Sequence, residues 1–150
     1  EFQVVDLKGG CFINPRILMP RVGAELEIVL HNLTAVNKAG ISYTLNSVDT
    51  LNAGTYLIYN ERQDVAMPYK SSIFVNGVTV ESFNYDALYE VDGKLNLKGR
   101  NMHSLSSVYP SADRMLLGEV VIPRGHNELT VVVSDILGKE YQAKYVFDAR

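Results

Sequence analysis

Between Arg114 and Phe147 three apolar stretches alternate with two compact polar segments. Residues 115–122 form the first and lead into Pro123-Arg124-Gly125-His126-Asn127. Residues 129–134 form the second, closed by Asp135-Ile136-Leu137-Gly138-Lys139. The third, residues 141–147, alternates in strict period two, with Tyr141, Ala143, Tyr145 and Phe147 on one face. Successive side chains of a strand point to opposite sheet faces, so this pattern predicts half-buried antiparallel strands joined by short turns.

The rest of the chain reads the same way. Residues 2–7 predict a strand stopped by Gly9-Gly10. Residues 11–19, broken by Pro15 and ended by Pro20, read as an edge strand or an irregular crossing, because proline has no amide for a ladder. In residues 25–30, Leu26, Ile28 and Leu30 fall inward, Glu25 and Glu27 outward. Ile41, Tyr43 and Leu45 alternate with Ser42, Thr44 and Asn46, and residues 55–59 are β-branched and aromatic. The sharpest local signal is Asn76-Gly77 between two apolar runs. It predicts a two-residue type I′ hairpin, whose central positions both need positive φ. Asp92-Gly93 predicts a second such turn. Residues 98–113 read as a long surface loop with room for one helical turn. No stretch carries the period of an ordinary helix. The expected fold is all-β: a two-layer antiparallel β-sandwich, immunoglobulin-like, of about ten short strands. It is expected as a single domain over residues 1–150, with 62–68 the alternative boundary. Leu26, Ile28, Tyr43, Ile58, Val131, Val133, Tyr145 and Phe147 are the predicted core.

Composition narrows the class of partner. At 150 residues, 47% hydrophobic and 21% charged, the chain suits a packed globular domain. A net charge of −3 gives no electrostatic reason to bind nucleic acid or anionic lipid, and neither is expected as a partner. No run approaches the ~18 apolar residues of a membrane-spanning helix. The single cysteine, Cys11, rules out an internal disulfide framework. Leu7-Lys8-Gly9-Gly10-Cys11 departs from a lipoprotein cleavage site at Lys8, so Cys11 is expected as a structural thiol.

Catalytic chemistry is hard to find. His31, His103 and His126 are scattered, outside any HxH, HExxH or HxxxD spacing. No nucleophile elbow, phosphate loop or dinucleotide fingerprint is present. Asp86, Glu90 and Asp92 lie near one another, but calcium takes about six to eight oxygens and no DxDxDG spacing supplies them. The chain is therefore expected to be no enzyme and to hold no metal or cofactor. Asp135, facing Gly138, is expected to accept amide hydrogen bonds and close its turn. Nine tyrosines and no tryptophan leave a binding surface as the remaining option. Tyr43, Tyr56, Tyr141 and Tyr145 fall inward. Tyr59, Tyr69, Tyr85, Tyr89 and Tyr109 sit at strand ends or in loops, where they either build a binding surface or lid the core edges. Loops on rigid sandwiches collect binding sites, and Arg100, His103 and Tyr109 in residues 98–113 are the candidate binding residues. Asn32-Leu33-Thr34 matches the short N-glycosylation pattern.

Pro123, Gly125, Asn127, Leu129, Val131, Val133, Asp135 and Gly138 together resemble the last hairpin of immunoglobulin-like and fibronectin type III-like domains in bacterial envelope proteins. Ile73-Phe74-Val75-Asn76-Gly77 is similar to a hairpin of the same domains. The likeness covers residues 71–147. It extends to accessory domains of envelope zinc peptidases and glycan-processing proteins of the Bacteroidetes type, although the zinc-peptidase motifs are absent. It implies a non-catalytic spacer, adhesion or ligand-binding module of a larger bacterial protein, extracellular, at the cell surface or periplasmic. Its implied partners are other domains of the same polypeptide and a glycan or peptidoglycan fragment. A strand beginning at Phe2 and one ending at Phe147 fit a domain excised from a larger exported protein. The alternative is a glycan-processing enzyme fragment on a β-sandwich or jelly-roll scaffold, with carboxylates in residues 98–113.

Overall fold

The Asn76-Gly77 turn forms as its residues require. Asn76 has φ 51° and Gly77 φ 81°, and Val75 faces Val78 across the ladder. Asp92 and Gly93 repeat the geometry at φ 51° and 75°, with Val91 facing Lys94. The structure, a computed structural model, describes residues 4–6, 11–13, 27–30, 32–63, 66 and 68–150, the first two segments as backbone.

Fourteen strands follow in chain order among the described residues. They begin with β1 (Val4–Asp6), β2 (Cys11–Ile13), β3 (Thr34–Asn37), β4 (Ser42–Thr44) and β5 (Thr50–Leu51). Next come β6 (Gly54–Glu61), β7 (Lys70–Val75), β8 (Val78–Asn84), β9 (Ala87–Val91) and β10 (Lys94–Lys98). The last are β11 (Met102–Ser104), β12 (Arg114–Ile122), β13 (Gly125–Ser134) and β14 (Glu140–Ala149). One helical turn, α1 (Leu105–Val108), precedes β12. The sheet orders are β12-β6-β3-β4, β5-β14-β13-β7-β8 and β1-β2-β9-β10-β11. All pairs are antiparallel except β14 with β5.

The expected all-β antiparallel sandwich is therefore the fold. Its main core joins Ala35, Tyr56, Ile58, Val120 and Ile122 of one sheet to Ile73, Val75, Leu129, Val131, Val133 and Phe147 of another. Ile28, Ile58, Val131, Val133 and Phe147 are buried as predicted; Tyr43 and Tyr145 are partly buried. Leu26 lies outside the described residues. A smaller core gathers Tyr59, Phe83, Tyr85, Leu97, Val108, Met115 and Leu116. The strand count exceeds the expected ten partly because β11 forms inside residues 98–113. There His103 pairs Leu97 and Val108 is wholly buried, so the segment is no simple surface loop.

Three further expectations change. Residues 27–30 alternate exposed and buried, but side chains hold them where a ladder was expected. Gln63 Oε1 accepts from the Val29 amide at 2.8 Å, and Asn60 Nδ2 donates to the Val29 carbonyl at 3.2 Å. Ile41, predicted inward, is exposed, since β4 begins only at Ser42. Lastly, β12 and β13 are not a hairpin. β12 pairs with β6, while β13 pairs with β7 and β14, so Pro123 and Arg124 carry the chain from one sheet to the other. Asn127 Nδ2 holds that crossing by donating to the carbonyls of Pro123 at 2.8 Å and Gly125 at 3.0 Å. No helix among the described residues is long and apolar enough to cross a membrane.

Candidate functional site

Two β-bulges meet where the sheets join. In β12, Leu116 faces Tyr59 and Gly118 faces Ile58, leaving Leu117 extra. In β8 the register on β7 slips so that Val80 is extra. A bulge disrupts the ladder, and its buried backbone groups need other partners. Ser71 Oγ donates to the Leu117 carbonyl at 2.6 Å, and the Tyr85 hydroxyl donates to the Leu116 carbonyl. The Glu119 amide donates to Glu81 Oε2 at 3.2 Å. Glu81 Oε1 accepts from the amides of Ser82 at 3.1 Å and Arg100 at 2.7 Å. A carboxylate 3% exposed is thus compensated by three charge-assisted bonds from β8, β12 and the 99–101 turn. Space around it is tight. A Cβ at Gly118 would sit 2.6 Å from Glu81 Cγ, and one at Gly99 would run into the Phe83 ring.

The predicted binding residues divide around this junction. Arg100 contributes its amide to Glu81, and its side chain is exposed. His103 is 8% exposed, edge-on to Phe83 at 5.4 Å between centroids, with Nε2 3.5 Å from Glu119 Oε2. Asn101 Nδ2 donates to the other Glu119 oxygen at 3.3 Å. Tyr109 instead belongs with Arg62, whose guanidinium carbon lies 5.0 Å from its ring centroid. Burial raises the Tyr109 pKa, with Arg62 opposing. Two tyrosines placed at strand ends or in loops, Tyr59 and Tyr85, are buried. Burial pushes the Tyr85 hydroxyl far above the usual tyrosine range. It bonds Leu116 and lies 3.2 Å from Ser71 Oγ, so it faces the core.

The other singled-out groups are accounted for individually. Asp135 accepts from the amides of Leu137 at 2.8 Å and Lys139 at 3.0 Å, as its turn requires. His126 lies 2.8 Å from Asp148 Oδ1 on the surface. The Tyr69 hydroxyl donates to Asp86 at 3.2 Å. His31 lies outside the described residues. Among those residues, no three His, Cys, Asp or Glu side chains converge as a metal set would.

A cleft of about 190 Å³ opens at one end of the β12-β6-β3 sheet. Thr34 lines it from β3 and Asn32 from just before that strand, Tyr59, Asn60 and Glu61 from β6, Arg114 from the start of β12 and Asp113 from the residue before it. Strand register assembles it: Thr34 faces Tyr59, Glu61 faces Arg114, and the Arg62 amide donates to the Asp113 carbonyl at 2.7 Å. The Arg114 guanidinium carbon lies 5.8 Å from the Tyr59 ring centroid. Among the described residues, Glu61, Arg62, Asp113 and Arg114 form no ion pair with one another. Sequence reasoning missed this cleft because three distant segments build it. Its one legible trace is a pair of acid–arginine doublets, Glu61-Arg62 and Asp113-Arg114.

A family model matches residues 27–150, and the chain belongs to that uncharacterised family. No curated protein and no solved structure matches it.

Proposed function

We propose that this member of an uncharacterised family is a non-catalytic module of a larger exported bacterial protein, a spacer, adhesion unit or ligand-binding accessory domain. The carrying observation is how its inward polar side chains are used. Glu81, Ser71, Tyr85, Asn127 and Asp135 all bond main-chain atoms, fixing bulges, the sheet crossing and a turn. Groups held this way position backbone, which is the chemistry of a rigid scaffold. The residues from Pro123 to Gly138 carry the resemblance to immunoglobulin-like and fibronectin type III-like envelope modules. On that reading the location is extracellular, at the cell surface or periplasmic, and the first partners are other domains of the same polypeptide.

One observation favours a second reading, a glycan-processing enzyme fragment. Glu61 and Asp113 line one cleft, and a pair of carboxylates is how glycosidases supply acid, base or nucleophile. Assays of the purified chain on glycan, peptide and ester substrates separate the two. No turnover is expected. Turnover that disappears in Glu61→Gln or Asp113→Asn would replace the module reading with the enzyme.

A further inference from the structure

We propose that the cleft between the ends of β3, β6 and β12 binds a single uncharged sugar ring of a glycan. This deepens the ligand-binding form of the reading above and rests on it. Size comes first. Pockets for drug-sized ligands run to about 300–1,000 Å³. A cleft of about 190 Å³ is small for a nucleotide or a large cofactor and has room for one ring.

Charge then selects the chemistry of that ring. Its charged lining residues are two acids, Glu61 and Asp113, and one base, Arg114, so the site disfavours an anionic ring. These three groups are not paired with one another among the described residues. Carboxylates only accept hydrogen bonds and guanidiniums only donate them. A ligand meeting both needs groups that donate and accept at once, and adjacent hydroxyls on a ring do so. Each hydroxyl can donate to Asp113 or Glu61 while accepting from Arg114. Thr34 and Asn32 add neutral partners at the β3 side.

The arrangement is also pre-set. A guanidinium over an aromatic face gains a cation–π attraction that favours that placement. Arg114 rests on Tyr59 in the cleft, and Arg62 rests on Tyr109 beside it. Strand register, rather than a loop, fixes Thr34, Tyr59, Glu61 and Arg114 relative to one another. Binding groups held in place lower the ordering cost of association.

The test is an amide NMR titration of the full chain with three soluble oligosaccharides at millimolar concentration. They are an uncharged hexose oligomer, an N-acetylhexosamine oligomer and a uronic-acid oligomer. The expected result is saturable shifts at Tyr59, Asn60, Glu61 and Arg114 with at least one uncharged oligomer, and weaker binding of the uronic-acid oligomer. Arg114→Gln and Asp113→Asn should each weaken binding by about tenfold or more with the rest of the spectrum unchanged. If one variant fails to fold, the other carries the test. No saturable shift with any oligomer, shifts centred elsewhere, or tightest binding of the uronic-acid oligomer would each overturn the proposal. Cleavage of a bound oligomer would sink the non-catalytic reading and leave the cleft in place. Absence of binding without cleavage would sink the cleft and leave a spacer.

Discussion

Replacing Glu81 by glutamine removes one oxygen from the most heavily bonded buried side chain at the sheet junction. The glutamine oxygen can keep the amides of Ser82 and Arg100, which both meet Oε1. Its NH₂ group then confronts the Glu119 N–H that Oε2 accepted at 3.2 Å. One charge-assisted bond is lost, at about 1.5–3 kcal/mol, and the donor left behind is worth about 1–3 kcal/mol. The two overlap, so the expected destabilisation is about 2–4 kcal/mol. For a domain of this length that corresponds to a fall of roughly 4–16 °C in Tm. Far-UV circular dichroism through urea and thermal unfolding gives the magnitude. Hydrogen exchange gives the place: the Glu119 amide should lose protection beyond the global change, while the Arg100 amide follows it. A loss under ~1 kcal/mol, or faster exchange with no excess at Glu119, would show that the carboxylate does not anchor the bulge.

Gly118→Ala should cost about 1–3 kcal/mol in urea unfolding, since its Cβ would sit 2.6 Å from Glu81 Cγ and 2.7 Å from Ile73 Cδ1. Val133→Ala should cost roughly 1–4 kcal/mol, whereas Val132→Ala, on the other face, should stay within about 0.5 kcal/mol; reversed values would mean the register is wrong by one. The contribution of Tyr85 to stability should be level below about pH 10, the ordinary tyrosine pKa, and fall above it, because burial keeps Tyr85 neutral in the fold. Urea midpoints on either side of that pH read the slope, which Tyr85→Phe should flatten. Asn76 Nδ2 bonds Asn127 Oδ1 at 3.0 Å and its Oδ1 accepts from the Glu128 amide at 2.8 Å, which keeps its carbonyl carbon from the Gly77 nitrogen. Deamidation at Asn76-Gly77, followed by mass spectrometry, should be slow in the folded chain and faster in Asn127→Ala.

Local chemistry was legible wherever a few neighbouring residues decide the outcome. Asn76-Gly77 and Asp92-Gly93 set their own φ values, and Asp135 closes its turn with its own carboxylate. Period-two alternation also placed Val131, Val133 and Phe147 inside. What alternation does not carry is the identity of the partner strand. Pro123-Arg124-Gly125 marks a bend equally well whether β13 folds back on β12 or crosses to another sheet. Here it crosses, held by Asn127, whose two bonds involve backbone only two and four residues away. In residues 98–113, serines and asparagines suggested a loop, yet burial of Val108 and His103 against the smaller core draws out β11 and α1.

The same distinction explains why loop reasoning and the structure point to different parts of the surface. Tyr109, Arg100 and His103 share one segment of sequence, but two of them gather around Glu81 and Glu119 while Tyr109 stacks under Arg62. Arg62 in turn is tied through its amide to Asp113, so Tyr109 is joined to the cleft and the others to the bulges. A loop is therefore the wrong unit for locating binding in this fold. The relevant unit is the end of a sheet, where each strand contributes the one or two residues that its register places there. Acid–arginine doublets at two antiparallel strand ends bring charges of both signs to one edge, because Glu61 must face Arg114 when β6 pairs with β12. That pairing follows from the apolar alternation of both strands, so the same residues that build the core also fix which charges meet outside it.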